Sequence, residues 1–224
     1  MSEHLLYIGT YGWQYTIWED EYYPEGLPPE WQLGYYGNEN QVVMVPQSYW
    51  SQGETVFHEW LAETDDSPQF ICEWPDVNDH DAVILVTKAL DILAERIMGI
   101  VMPLVDYPSD NAIAHYQTLA ARYPLSLDMG NSLRQTLTSQ QQATLWDAGL
   151  GLCWHGEPEY ADDLCYGRLA LTRISDVADP KKLRAILESN LAQRSEPQQR
   201  VLIVDGDPPD MQLLHNTGMM LDFL

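Results

Sequence analysis

Basic residues are scarce in this chain: 11 Lys and Arg stand against 34 Asp and Glu in 224 residues, a formal net charge of −23. Nucleic-acid binding depends on a basic surface that neutralises phosphates. Here the densest basic stretch is Lys181, Lys182 and Arg184, on an expected outer helix. The balance argues against nucleic acid and against an anionic membrane as partners, and reads as solubility and self-repulsion. An acidic interaction surface for a basic partner is a further reading. Cysteine is also sparse. Cys72, Cys153 and Cys165 are odd in number, sit inside apolar segments and form no CxxC pair. That spacing carries no zinc or redox motif and is the pattern of buried, reduced thiols in a cytoplasmic protein. No apolar run approaches the length of a membrane span. Met1-Ser2-Glu3 leads directly into Leu5-Leu6-Tyr7-Ile8 without the basic and apolar regions of a secretory signal. A glycine-rich phosphate turn is missing too, because Gly9-Thr10-Tyr11-Gly12-Trp13 lacks the GxGxxG spacing. There is no P-loop, nucleophile elbow, kinase signature or HExxH.

What is present is alternation. With 45% apolar and 20% charged residues the composition is that of a folded chain. Short apolar runs at Leu5–Gly9, Gln41–Val45, Gln69–Trp74, Ile97–Val105, Leu125–Asp128, Gly149–Trp154, within Leu164–Ile174, and at Arg200–Asp205 read as eight strands. Between them, helices are expected over Pro28–Tyr36, Thr55–Glu63, Asp81–Arg96, Asn111–Tyr123, Ser139–Ala148, Pro180–Leu191 and Pro208–Leu221, the sixth capped by Asp179. Eight strands with intervening helices and no linker or repeat imply an α/β fold, a (β/α)₈ TIM-type barrel, as one domain over residues 1–224.

The stretch from Tyr7 to Trp18, with Tyr23-Pro24-Glu25-Gly26-Leu27 and Tyr35-Tyr36, resembles the opening of the YecE-like family, domain of unknown function 72. That family begins with Ile-Gly-Thr-Ser-Gly-Trp and continues to Phe-Tyr-Pro-x-Gly-Leu. The resemblance implies a TIM barrel as well. Further along, the positions that line the family's pocket differ. Val42-Val43-Met44-Val45 stands for Val-Glu-Ile-Asn, Glu73 for a lysine, Met102-Pro103-Leu104-Val105 for Phe-Gln-Leu-Pro, and Asp128-Met129-Gly130 for Glu-x-Arg. Tyr166 and Arg168 match a Tyr-x-Arg, but Ala170-Leu171 replaces His-Gly and Asp205-Gly206 replaces paired asparagines. The pattern is that of a divergent member with an altered or lost site, binding a small molecule or acting without catalysis.

Barrel function concentrates at the carboxyl ends of the strands. Reading those ends gives Thr10, Glu73, Asp106, Asp128, His155, Arg168 or Arg173, and Asp205 with Asp207; the first loop adds Trp13, Tyr15 and Trp18. From these, Thr10, Trp13, Tyr15, Glu73, Asp128, His155, Arg168 and Asp205 are the ligand-binding candidates. Asp106, Asp128, His155 and Asp205 could converge as ligands of a metal-assisted hydrolase, and Asp128, His155 and Asp205 could serve a hydrolase with or without a metal. Two of Glu73, Asp128 and Asp205 could form an acid–base pair for glycosides. Each residue also has a structural alternative. The acids cap helices, His155 is a hydrogen-bonded structural group, Arg168 partners the abundant acids, and the aromatics pack as a lid over the barrel. No catalytic residue, metal or cofactor is assigned.

Overall fold

A computed structural model describes residues 6–19, 21–76, 78–192 and 199–224. Leu5, where the first strand is expected to begin, lies outside them. In chain order the elements are β1 (Tyr7–Tyr11), α1 (Gln32–Glu39), β2 (Val42–Val45), α2 (Glu54–Glu63), β3 (Gln69–Glu73), α3 (His80–Leu93), β4 (Ile97–Pro103), α4 (Asp110–Arg122), β5 (Leu125–Asp128), α5 (Gly130–Arg134), α6 (Ser139–Asp147), β6 (Gly151–Leu152), β7 (Leu169–Ile174), α7 (Pro180–Ala192), β8 (Gln199–Val204) and α8 (Met211–Leu221). The strands form one parallel sheet in the order β6-β5-β4-β3-β2-β1-β8-β7. Its two ends meet through Trp154, whose N–H donates to Leu171 O at 2.9 Å and whose carbonyl accepts from Arg173 N at 2.9 Å. The result is a nearly closed (β/α)₈ barrel.

Period-2 alternation assigns each strand one face to the axis and one to the helices. Met44, Ile71, Val101, Leu171, Val201 and Ile203 pack together with Cys153 along the axis. Val43, Val45, Phe70, Cys72 and Ile100 pack on the other side, beneath the helices. Each large apolar side chain so buried contributes about 1.5–3 kcal/mol. The axis is therefore filled, and polar chemistry has room only at its ends.

Local signals account for most boundaries. Asp79, Ser109 and Asp210 cap α3, α4 and α8, and Thr138 with Gln141 forms a reciprocal capping box on α6. Differences from the sequence reading occur where the chain tightens. Pro29–Trp31 is a 3₁₀ turn ahead of α1. The closing helix starts at Met211 rather than Pro208, because the Gly206–Pro209 bridge occupies the residues before it. The sixth strand is cut to two residues. Its expected first residue, Gly149, adopts φ +73° in the turn that ends α6, and Leu150 N donates back to Leu145 O at 3.0 Å. Pro158–Cys165 winds as a 3₁₀ helix, so β7 begins only at Leu169. That helix is held by Asp163, buried and bidentate to Arg134 at 2.7 and 2.8 Å. No helix among the described residues is long and apolar enough to cross a membrane.

Candidate functional site at the barrel mouth

The last inward-facing positions of five strands place polar groups around one point. Tyr11 comes from β1, Glu73 from β3, Asp128 from β5 and Arg173 from β7, and Asp205 follows β8 directly. His155 lies just past the Trp154 bridge. Bonds to main-chain carbonyls fix these positions: Leu104 N donates to Asp128 O, the Trp50 side-chain Nε1 to Glu73 O and Asp205 N to Ile174 O, at 2.7, 2.8 and 2.7 Å.

Arg173 is the centre of the network. Its Nη1 reaches Asp128 Oδ2 at 2.6 Å, its Nη2 reaches Asp205 Oδ2 at 2.7 Å, and its Nε adds a 3.1 Å bond to the same oxygen. Glu73 Oε1 lies 3.7 Å from Nη1, and the guanidinium stands 5.2 Å from the Tyr11 ring centroid. Glu73 Oε2 accepts from Tyr11 Oη at 2.7 Å and from Gln47 N at 3.0 Å. Asp205 Oδ1 accepts from Gly206 N at 3.0 Å. Asp128 Oδ1 accepts from Gly130 N at 3.0 Å and lies 2.9 Å from His155 Nε2. Because the carboxylate can only accept, that contact places the hydrogen on Nε2. Side-chain exposure divides the group: Glu73, Asp128 and Arg173 show 6, 8 and 12%, whereas His155 and Asp205 show 23 and 29%.

The electrostatics follow from this packing. Burial alone would raise the Asp128 carboxyl, but the hydrogen bond from His155 and the Arg173 guanidinium outweigh it and hold the group well below the usual carboxylate range. Burial would lower Arg173, and the Asp128 and Asp205 carboxylates more than reverse that. Burial, with Glu73 beside it, pushes the Tyr11 phenol up. Burial and the nearby Asp128 charge do the same to the Cys153 thiol. Leaving His155 out of the count, three carboxylates against one guanidinium give this mouth a formal charge of −2.

A pH dependence follows from Asp128. Its folded value lies below the ordinary unfolded value of about 3.9. Its stabilisation is therefore complete above that value and is lost as pH falls toward the folded one. The stability difference between the wild type and Asp128→Asn, measured by urea unfolding, is expected to shrink as pH falls below about 4. A difference independent of pH throughout would contradict the assignment.

Of the residues expected from sequence, Glu73, Asp128, His155 and Asp205 come together. Arg168 does not. It precedes β7, at the opposite end of the barrel, and Nη1 donates to Ala120 O and Ala121 O at 2.9 and 3.4 Å. The residue at the carboxyl end of that strand is Arg173. Thr10 faces outward from β1, with its N and Oγ1 2.9 and 3.0 Å from Tyr36 Oη, and Oγ1 donates to Gly12 O at 2.7 Å. Trp13 is buried edge-on against Tyr49 and Trp60, at 4.8 and 5.0 Å between centroids. Trp18 is buried beside Tyr15, Tyr22 and Tyr23. Half-buried Tyr15 donates its hydroxyl to Tyr11 O and so borders the network. Asp106 and Asp207 are exposed. Tyr11, Gln47 and Cys153 belong to the mouth and were not among the candidates. For Cys153 the signal was available: it stands two residues before His155, so both project to the same side of an extended chain.

A family model described as "Protein of unknown function DUF72" matches residues 7–123. A DUF72 family protein from Thermotoga maritima MSB8 has a similar crystal structure, with a TM-score of 0.66, 15% identity, and 97% of this chain and 99% of that one covered. At that identity the likeness shows the fold. A "putative Chitinase A" from Streptomyces coelicolor aligns over 98% of this chain and 99% of its own, with a TM-score of 0.49 and 10% identity. No functionally curated protein matches the chain.

Proposed function

Given that the chain belongs to the DUF72 family, we propose that it binds a small neutral or cationic polar molecule at the carboxyl-terminal mouth of its barrel and does not hydrolyse through a carboxylate pair. One observation carries this reading: Asp128, Asp205 and Glu73 are each engaged by Arg173, Tyr11 or backbone N–H groups. Glycoside hydrolysis needs one carboxyl kept protonated as an acid and a second free as nucleophile or base. Asp128 is held ionised, with both oxygens already accepting hydrogen bonds. The formal charge of −2 disfavours anions, and the partly exposed Asp205 and His155 offer one acceptor and one imidazole to an entering ligand. The residues are consistent with a divergent site in a cytoplasmic protein whose partner is a small molecule.

Calorimetric titration with neutral sugars, a polyamine and dicarboxylates tests this. Saturable binding is expected from the neutral or cationic probes and not from the dicarboxylates, weakened about tenfold in Asp205→Asn by loss of a charge-assisted contact of about 1.5 kcal/mol. Tight dicarboxylate binding would overturn the charge argument. The Asp128–His155 contact supports a second reading, in which a carboxylate orients an imidazole as general base for hydrolysis. Turnover of nitrophenyl esters or glycosides by the wild type, abolished in His155→Gln, would decide for it.

A further inference from the structure

We propose that Asp128, Cys153 and His155 form a binding site for one divalent transition-metal ion of the zinc type. One ligand atom from each side chain lies within 4.8 Å of the other two. The placement follows from the sheet. Cys153 and His155 are two residues apart at the end of β6, and Asp128 ends the neighbouring strand, where Leu127 pairs with Leu152 and Cys153 N donates to Leu127 O at 2.8 Å.

Metal–ligand bonds of about 2.0–2.3 Å at tetrahedral angles put neighbouring ligand atoms about 3.5 Å apart. Asp128 Oδ1 and His155 Nε2 stand at 2.9 Å, joined by a hydrogen. An ion would take the place of that hydrogen, the imidazole then carrying its proton on Nδ1 and the Cys153 thiol releasing its proton to solvent as it becomes the thiolate ligand, with the oxygen and nitrogen parting by about half an ångström and the sulfur drawing in by at most about 1.3 Å. The Cys153 sulfur is buried and makes a 4.0 Å contact with the Trp154 carbonyl, so no strong bond opposes that shift. One oxygen, one nitrogen and one sulfur suit Zn²⁺ or Co²⁺, whereas Mg²⁺ and Ca²⁺ require oxygen ligands. Three protein ligands leave a fourth position for water.

The surroundings orient this set. Arg173 holds Asp128 Oδ2 at 2.6 Å and Gly130 N holds one lone pair of Oδ1 at 3.0 Å, leaving the lone pair that faces His155 to bind the ion. A guanidinium so near would repel a cation by itself. Glu73 and Asp205 reverse the sign, since both lie on Arg173 and the mouth retains its formal −2. The inference is independent of the organic-ligand reading above, because an ion can be held whether or not a second molecule binds.

The test is cobalt titration of the full chain after chelator treatment, in moderate salt with excess Mg²⁺ to occupy the acidic surface. One equivalent of Co²⁺ is expected to bind saturably, with a sulfur-to-cobalt charge-transfer band in the near ultraviolet and the strong visible absorption of four-coordination. Stoichiometric Zn²⁺ is expected to remove both. Cys153→Ser should lose the charge-transfer band and Cys165→Ser should retain it. His155→Gln should weaken binding by more than about 100-fold, beyond what loss of a merely supporting partner costs, while His115→Gln, exposed on α4, should have no effect. Wild-type binding without a thiolate band, or a band that survives Cys153→Ser, overturns the site. The wild-type spectrum alone decides this if a variant fails to fold.

Discussion

Arg173→Met is expected to destabilise the protein by about 3–5 kcal/mol, because it removes the cation that holds together two nearly buried carboxylates, Asp128 and Glu73, and the partly exposed Asp205. For a chain of this length that is a fall in Tm of about 10 °C, read by calorimetry or urea unfolding. The loss exceeds that of an exposed ion pair because water cannot replace the guanidinium: Asp128 and Glu73 are 8 and 6% exposed. For the same reason added salt should recover little of it, since screening acts mainly on exposed charges. Neutralising the stranded acids is the diagnostic step. Adding Asp128→Asn to Arg173→Met should cost much less than Asp128→Asn alone, with a coupling of about 1–3 kcal/mol. Additive effects, or a single-variant loss below about 1 kcal/mol, would mean that the carboxylates are solvated in solution and the network is not a closed unit.

That network also shows what the sequence could disclose. Eight strands were legible because parallel barrel strands are short apolar runs separated by periodic helices, and the signal needs no knowledge of pairing. Glu73, Asp128, His155 and Asp205 were legible as candidates for the mouth because each ends or closely follows such a run. Arg173 was harder to separate from Arg168. The run Leu164–Ile174 has no internal mark for where the strand begins, and the 3₁₀ helix Pro158–Cys165 with its Asp163–Arg134 anchor takes up the first part of it. That moves the strand start to Leu169, leaving Arg168 at the amino-terminal end and Arg173 at the mouth. Tyr11 was hidden in the family-like first loop, where it reads as one aromatic among several, although alternation along β1 directs it inward with Tyr7. Gln47 acts through its backbone N–H, which no side-chain pattern reports. At the end of the third strand, Tyr11, Gln47 and Arg173 supply the partners of the Glu73 carboxylate.

The second large effect is expected at the seam between β6 and β7, where Gly151→Ala should cost about 3 kcal/mol or more. A methyl group there would sit 2.3 Å from Tyr166 O and 3.1 Å from its carbonyl carbon, and Gly167 faces the same spot with φ +78°. The obstacle is backbone rather than a flexible side chain, so relief requires the two chains to separate, at the upper end of the usual overpacking range of about 1–3 kcal/mol or beyond it. Among the described residues, the backbone hydrogen bonds between the sheet's ends are the two at the Trp154–Thr172 bridge, in place of the ladders that join the other strands. Prying it open would carry Cys153 and His155, on one side, away from Arg173 on the other. The variant should therefore lose the protection of the Trp154 and Arg173 amides from hydrogen exchange before the β1–β2 and β2–β3 ladders open. In the same variant the link between Asp128 and the Arg173 network should weaken, so that the additional cost of Arg173→Met falls below its wild-type value. Gly151→Ala with unchanged stability and undiminished Arg173 coupling would show that the seam yields without cost, and that the mouth is held by its charges rather than by closure of the barrel beneath them.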